Sequence, residues 1–159
     1  MKVLLVLGHG HPGHGMGDSP GRCSNWLRYI DTIARLAENV DVIVFAGGPI
    51  FTKAGSMYRW LGYSHERISR NTACVLETQS LVTFENFEFS EQILRGYDPI
   101  TELTILGAHH KQIGYFFLGS IFFPNVAITN NLHVKTQALT SNRQFWKDIR
   151  SVLWYMLCL

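Results

Sequence analysis

Three apolar runs in this chain each end on glycine, and they constrain the fold more than any other feature. They are Val3 to Leu7 before Gly8, Val40 to Ala46 before Gly47-Gly48, and Leu103 to Leu106 before Gly107. Runs of this kind, without strict polar alternation, suit strands of a parallel sheet covered on both faces. Ala73 to Leu76 and Val126 to Thr129 are two shorter strand candidates. Helical stretches lie between them. Trp26, Ile30, Ile33 and Ala37 form one apolar stripe on a helix from about Asn25 to Glu38. Thr52 to Leu61, Thr83 to Leu94, Lys111 to Phe122 and Asn142 to Leu157 follow, the last with Ser141 or Asn142 as N-cap. This β-α alternation predicts a three-layer α/β domain with right-handed crossovers and a mainly parallel five-stranded sheet.

Size and composition fit one such domain over residues 1–159. With 47% hydrophobic and 16% charged side chains, the chain has material for a core. Fourteen Lys+Arg against 12 Asp+Glu leave a net charge of +2, too balanced to indicate nucleic-acid binding or a polybasic membrane anchor. The apolar start Val3 to Leu7 is too short for a signal peptide, and Ile113 to Phe123 stops after 11 residues where a spanning helix needs about 20. No membrane span is expected. Cys23, Cys74 and Cys158 form no CxxC pair, which argues against a disulfide framework and a Cys-based zinc site and favours a reducing, cytoplasmic setting.

The C-terminal ends of parallel strands share one edge, where ligands of open α/β sheets bind near the switch point in strand order. The loops beginning at Gly8, Gly47, Glu77 and Gly107 should therefore converge. Gly8-His9-Gly10-His11-Pro12-Gly13 fits G-x-G-x-x-G after a strand, but glycine-rich loop continues through Gly21 and the second strand ends in Ala46-Gly47-Gly48 without an acid for a ribose. A glycine-rich anion-accepting loop of another kind is the better reading. His9, His11 and His14 have the histidine spacing of a zinc motif whose acid position is here Gly13. Histidines that face solvent or touch substrate are the favoured reading, because a glycine-rich loop supplies little to fix imidazole orientation; a divalent metal on these three is the alternative.

Glu77-Thr78-Gln79-Ser80-Leu81-Val82-Thr83-Phe84-Glu85-Asn86 sets short polar residues before and inside the start of a helix. Ser80 or Thr83 could simply cap that helix, with Glu85 at its positive end. Glu77, Glu85 and Asn86 near one sheet edge could instead supply an acid or base, hold a metal, or bind ribose hydroxyls. His109-His110 follow the strand Leu103 to Leu106, a place for a general acid/base or a phosphate contact, with His110 favoured.

Arg28 within Arg28-Tyr29-Ile30-Asp31-Thr32, Phe45-Ala46-Gly47-Gly48, Leu61-Gly62-Tyr63-Ser64-His65-Glu66-Arg67-Ile68, Glu77-x-x-Ser80-x-x-Thr83-x-Glu85-Asn86 and a strand ending near His109-His110 together resemble the YdcF/SanA/ElyC-like family, a domain of unknown function. The resemblance runs from about Val3 to Thr129, and the E-x-x-S-x-x-T-x-E-N segment is its most specific part. It implies a Rossmann-like α/β sandwich and a cleft formed by the first glycine loop, Gly47-Gly48, Glu77, Ser80, Thr83, Glu85, Asn86 and the later histidine. The chain departs from the family where Thr-Ser is usual, at Leu106-Gly107, and at Ile113, where the family has an arginine; Lys111 is a cation close by in sequence.

These readings lead to an expected small soluble enzyme, a hydrolase or group transferase acting on a phosphorylated or nucleotide-like small molecule at the C-terminal edge of the sheet. Glu77, Glu85 and His110 are its candidate catalytic residues. Gly8, His9, Gly10, Arg28, Gly47, Gly48, Ser80, Thr83, Asn86 and His109 are its candidate ligand-binding residues. The alternative is a module that binds a nucleotide or S-adenosylmethionine without chemistry. A third reading is a protein-interaction role centred on Phe145, Trp146, Trp154, Tyr155 and Leu157 of the nearly charge-free C-terminal helix, against which that helix packed on the sheet or in a homodimer is the favoured account.

Overall fold

A computed structural model describes residues 1–7, 20–47, 72–108 and 111–133, together with Ile68, Arg150 and Leu153. Within them the order is β1 (Lys2–Leu7), α1 (Pro20–Ala37), β2 (Val42–Ala46), β3 (Ala73–Glu77), α2 (Thr83–Leu94), β4 (Glu102–Ala108), α3 (Gln112–Phe122) and β5 (Ala127–His133). All four strand pairings are parallel and the sheet runs β3-β2-β1-β4-β5. The order reverses between β1 and β4, which is the switch point.

Strand periodicity sorts the core into two layers. Val3, Leu5, Leu7, Val42, Val44, Leu103 and Ile105 face α2 and α3, meeting Phe84, Phe87, Leu94, Tyr115 and Leu118. Leu4, Val6, Ile43, Phe45 and Leu106 face α1, meeting Tyr29, Ile30, Ile33 and Ala37. Helices therefore cover both faces, as continuous apolar strands require. On the first face Phe84 packs edge-on to Phe122, with ring centres 4.9 Å apart and planes at 70°, which locks α2 to α3.

Several boundaries differ from the sequence expectation. Helix α1 starts at Pro20, five residues before Asn25, so Pro20-Gly21 are helical rather than loop. Proline at the first helical position loses no hydrogen bond and has its φ already set. Strand β5 runs to His133 rather than Thr129, because a seven-residue register with β4 carries Asn130 and Asn131 despite their weak strand preference. Strand β2 starts at Val42, after Asp41 has accepted the Lys2 N–H on its carboxylate at 2.7 Å. Helix α2 has the expected ends, and α3 begins one residue after Lys111. The expected helix Thr52 to Leu61 lies outside the described residues; of Asn142 to Leu157 only Arg150 and Leu153 are described, both helical. Among the described residues no helix is long and apolar enough to cross a membrane.

Candidate functional site

Strand β3 ends on Glu77, and the five residues that follow turn the chain into α2. Glu77 is 2% exposed, so its carboxylate must be satisfied from within the protein. Oε1 accepts the backbone N–H groups of Gln79 at 2.6 Å and Ser80 at 2.9 Å. Oε2 accepts the Ser80 hydroxyl at 2.6 Å. The side chain thus folds the turn that follows it.

Ser80 Oγ also touches the side-chain amide of Asn86. A hydroxyl has one proton, and here it goes to Glu77. The amide of Asn86 completes the network when its NH2 group is turned to Ser80 as donor. Glu77, Ser80 and Asn86 form one connected polar unit at the start of α2. The Gly47 N–H donates to the Glu77 carbonyl at 3.1 Å, which brings the end of β2 to the same place.

Glu85, the third residue of α2, accepts the backbone N–H groups of Leu81 at 2.5 Å and Val82 at 3.3 Å on Oε2. The N-cap is Val82, whose side chain has no acceptor, so only the glutamate half of a capping box is available. This corrects the expectation that Ser80 or Thr83 caps the helix. Ser80 is committed to Glu77 and Asn86, and Thr83 lies inside the helix. Among the described residues, Glu85 Oε1 accepts no hydrogen bond.

Thr83 Oγ1 accepts a hydrogen bond from Lys111 Nζ at 3.0 Å. A half-buried ammonium from the loop after β4 thus stands at the start of α2, beside the acidic and amide groups. Lys111 stood out in the sequence only as a cation close to Ile113; its 28-residue separation from Thr83 hid the contact.

The switch point is built from other residues. The Tyr29 hydroxyl donates to the Leu7 carbonyl at 2.6 Å, with the Leu106 carbonyl 3.2 Å away. Burial pushes the Tyr29 phenol well above its ordinary pKa, with the neighbouring Tyr115 adding to the shift, so Tyr29 is a neutral donor. On the other side, a Cβ on Gly107 would lie 2.4 Å from Tyr115 Cε2. The missing side chain at Gly107 therefore admits the Tyr115 ring. Neither tyrosine was a sequence candidate, although Tyr29 sits four residues before Ile33 on the buried stripe.

Of the expected site residues, Glu77, Ser80, Thr83, Glu85, Asn86 and Gly47 gather at the C-terminal edge. Arg28 lies on α1 with its side chain exposed. Gly8, His9, Gly10, His11, His14, Gly48, His109 and His110 lie outside the described residues. Among the described residues no three His, Cys, Asp or Glu side chains gather as a metal ion would need. An open groove of 380 Å³ lies at the opposite edge, lined by Leu94, Arg95, Tyr97, Pro99, Phe122 and Val126 among others. It is remote from the strand C-termini, and its Arg95 is paired with Glu91 at 2.7 Å.

The parallel order with helices on both faces defines a Rossmann-like α/β sandwich. Compared with family models, curated proteins and solved structures, the chain finds no match.

Proposed function

We propose that the C-terminal edge binds a phosphorylated or nucleotide-like small molecule, and that the chain is a relative of the YdcF/SanA/ElyC-like domains. The observation that carries the reading is the Lys111–Thr83 contact beside the Glu77–Ser80–Asn86 unit. A nucleotide-like ligand needs a cation for its phosphate and acceptors for its hydroxyls within a few ångströms of each other. Lys111 supplies the first, and Glu85 Oε1 and Asn86 are candidates for the second. Gly47 and the ends of β1 at Leu7 and of β4 at Ala108 border the same edge.

The binding module without chemistry and the hydrolase or group transferase differ in what Glu85 does. Glu77 is a positioning residue, because its oxygens are occupied by the turn it folds. Glu85 retains one carboxylate oxygen beyond its capping role, and it is the group through which proton transfer would run, with His110 as the acid partner. Glu85→Gln separates the two functions, since glutamine still caps a helix but does not act as a base. Adenosine monophosphate should raise the melting temperature of the wild type and of Glu85→Gln alike. Phosphate release from nucleotide substrates that stops in Glu85→Gln identifies the enzyme. Stabilisation without turnover in either protein identifies the module, and absence of stabilisation by nucleotides and by inorganic phosphate rejects both.

Self-association belongs to the same proposal. Helix α3 has no Asp, Glu, Lys or Arg, and Ile113, Phe116, Phe117 and Ile121 lie on its exposed side, Ile113 at 70%. The one hydroxyl on that side, Ser120, is turned back onto the Phe116 carbonyl at 2.9 Å. A charge-free face matches a second copy of itself without repulsion, so we assign α3 as the dimer contact.

A further inference from the structure

The ladder between β1 and β4 stops at Val6 opposite Leu106. On its other side β1 stays paired one residue further, to Leu7 opposite Ala46. Strand β4 continues to Ala108, paired with His133 of β5. The two central strands thus part at the switch point while each remains held by its outer neighbour. The hydroxyl of Tyr29 stands in that opening, reaching the last carbonyl of the closed ladder on β4, Leu106, and the next carbonyl on β1, Leu7.

We infer that Tyr29 is a positioning residue for the ligand crevice, fixing how far the C-terminal ends of β1 and β4 separate. The inference rests on the reading of the C-terminal edge as the ligand site. Two carbonyl oxygens facing one gap repel each other, and a single phenol oxygen between them sets their spacing through its one strong hydrogen bond and its longer second contact. Tyr29 is held by the α1 core with Ile30 and Ile33, so the spacing is imposed by a rigid helix rather than by a loop. From the other face Tyr115 rests on Gly107, and the same β4 end is gripped on both sides. A ligand seated at the switch point meets loops that leave from Leu7 and Ala108, and an ångström of drift in these exits misplaces every group they carry.

The test compares Tyr29→Phe with Ile33→Val, which trims the same core without touching the strand ends. Amide hydrogen exchange is followed at Leu7 and Gly107 and at Ile43 and Val44 of β2, and adenosine monophosphate affinity is measured by calorimetry. The expected result is exchange at Leu7 and Gly107 faster by about tenfold in Tyr29→Phe, unchanged relative exchange in β2, and a comparable loss of affinity. Ile33→Val should keep the wild-type affinity. Exchange that rises uniformly across the sheet, or local opening with affinity intact, overturns the inference. A wild type that binds no nucleotide points to failure of the functional reading, and the exchange pattern alone then decides whether Tyr29 holds the strand ends.

Discussion

Lys111 Nζ donates to Thr83 Oγ1 across 3.0 Å, tying the loop after β4 to the first turn of α2. The contact fixes where a positive charge stands at the edge of the sheet, which is the charge an anionic ligand would meet there.

Lys111→Met should abolish stabilisation by inorganic phosphate or adenosine monophosphate, and loss of the Thr83 contact by itself should lower unliganded stability by about 0.5–1.5 kcal/mol. Thermal melts with and without each anion check this. An anion response that survives the substitution places the anion elsewhere.

Gly107→Ala should cost about 1–3 kcal/mol, because the new methyl would fall 2.4 Å from the Tyr115 ring and overpack the site. Urea unfolding measures the loss. Combining it with Tyr115→Leu should recover part of that cost, as expected for two changes sharing one contact.

The pH dependence follows from two groups with raised pKa values. Burial raises the Cys74 thiol, and burial with the neighbouring Tyr115 raises the Tyr29 phenol. In both cases the folded chain holds its proton to higher pH than the unfolded chain does. Their contribution is complete below the unfolded values and declines as pH rises, from roughly pH 8.5 for the thiol and roughly pH 10 for the phenol. Tyr29→Phe should be less stable at pH 7, having left the Leu7 carbonyl without its donor, yet lose less on going from pH 9 to pH 11. Parallel urea titrations at several pH values test the sign.

Phe117→Lys should reduce self-association by placing a charge in the α3 contact, with little change in fold because the side chain is already half exposed. Sedimentation velocity over a hundredfold concentration range reads the outcome. A wild type that remains monomeric throughout removes the dimer assignment.

Much of the fold was legible because buried parallel strands have a strong sequence signature. The runs ending at Leu7, Ala46 and Leu106 became the three central strands, and Thr83 and Leu94 bound α2 as expected. The end of β5 was not legible, since Asn130 and Asn131 are carried by pairing with β4 rather than by their own preference. The grouping of Glu77, Ser80 and Asn86 could be anticipated from their place between β3 and α2. Their roles could not, because whether a glutamate faces a ligand or folds its own turn depends on the backbone from Thr78 to Val82. Lys111 and Tyr29 act through contacts distant in sequence, and no local pattern announces them.

The most direct measurement is a titration of the isotope-labelled protein with adenosine monophosphate, followed through backbone amide resonances. The account predicts saturable shifts at Gly47, at Glu77 to Asn86 and at Lys111, with the groove between Arg95 and Val126 unchanged. Shifts confined to that groove, or none at millimolar ligand, would contradict it.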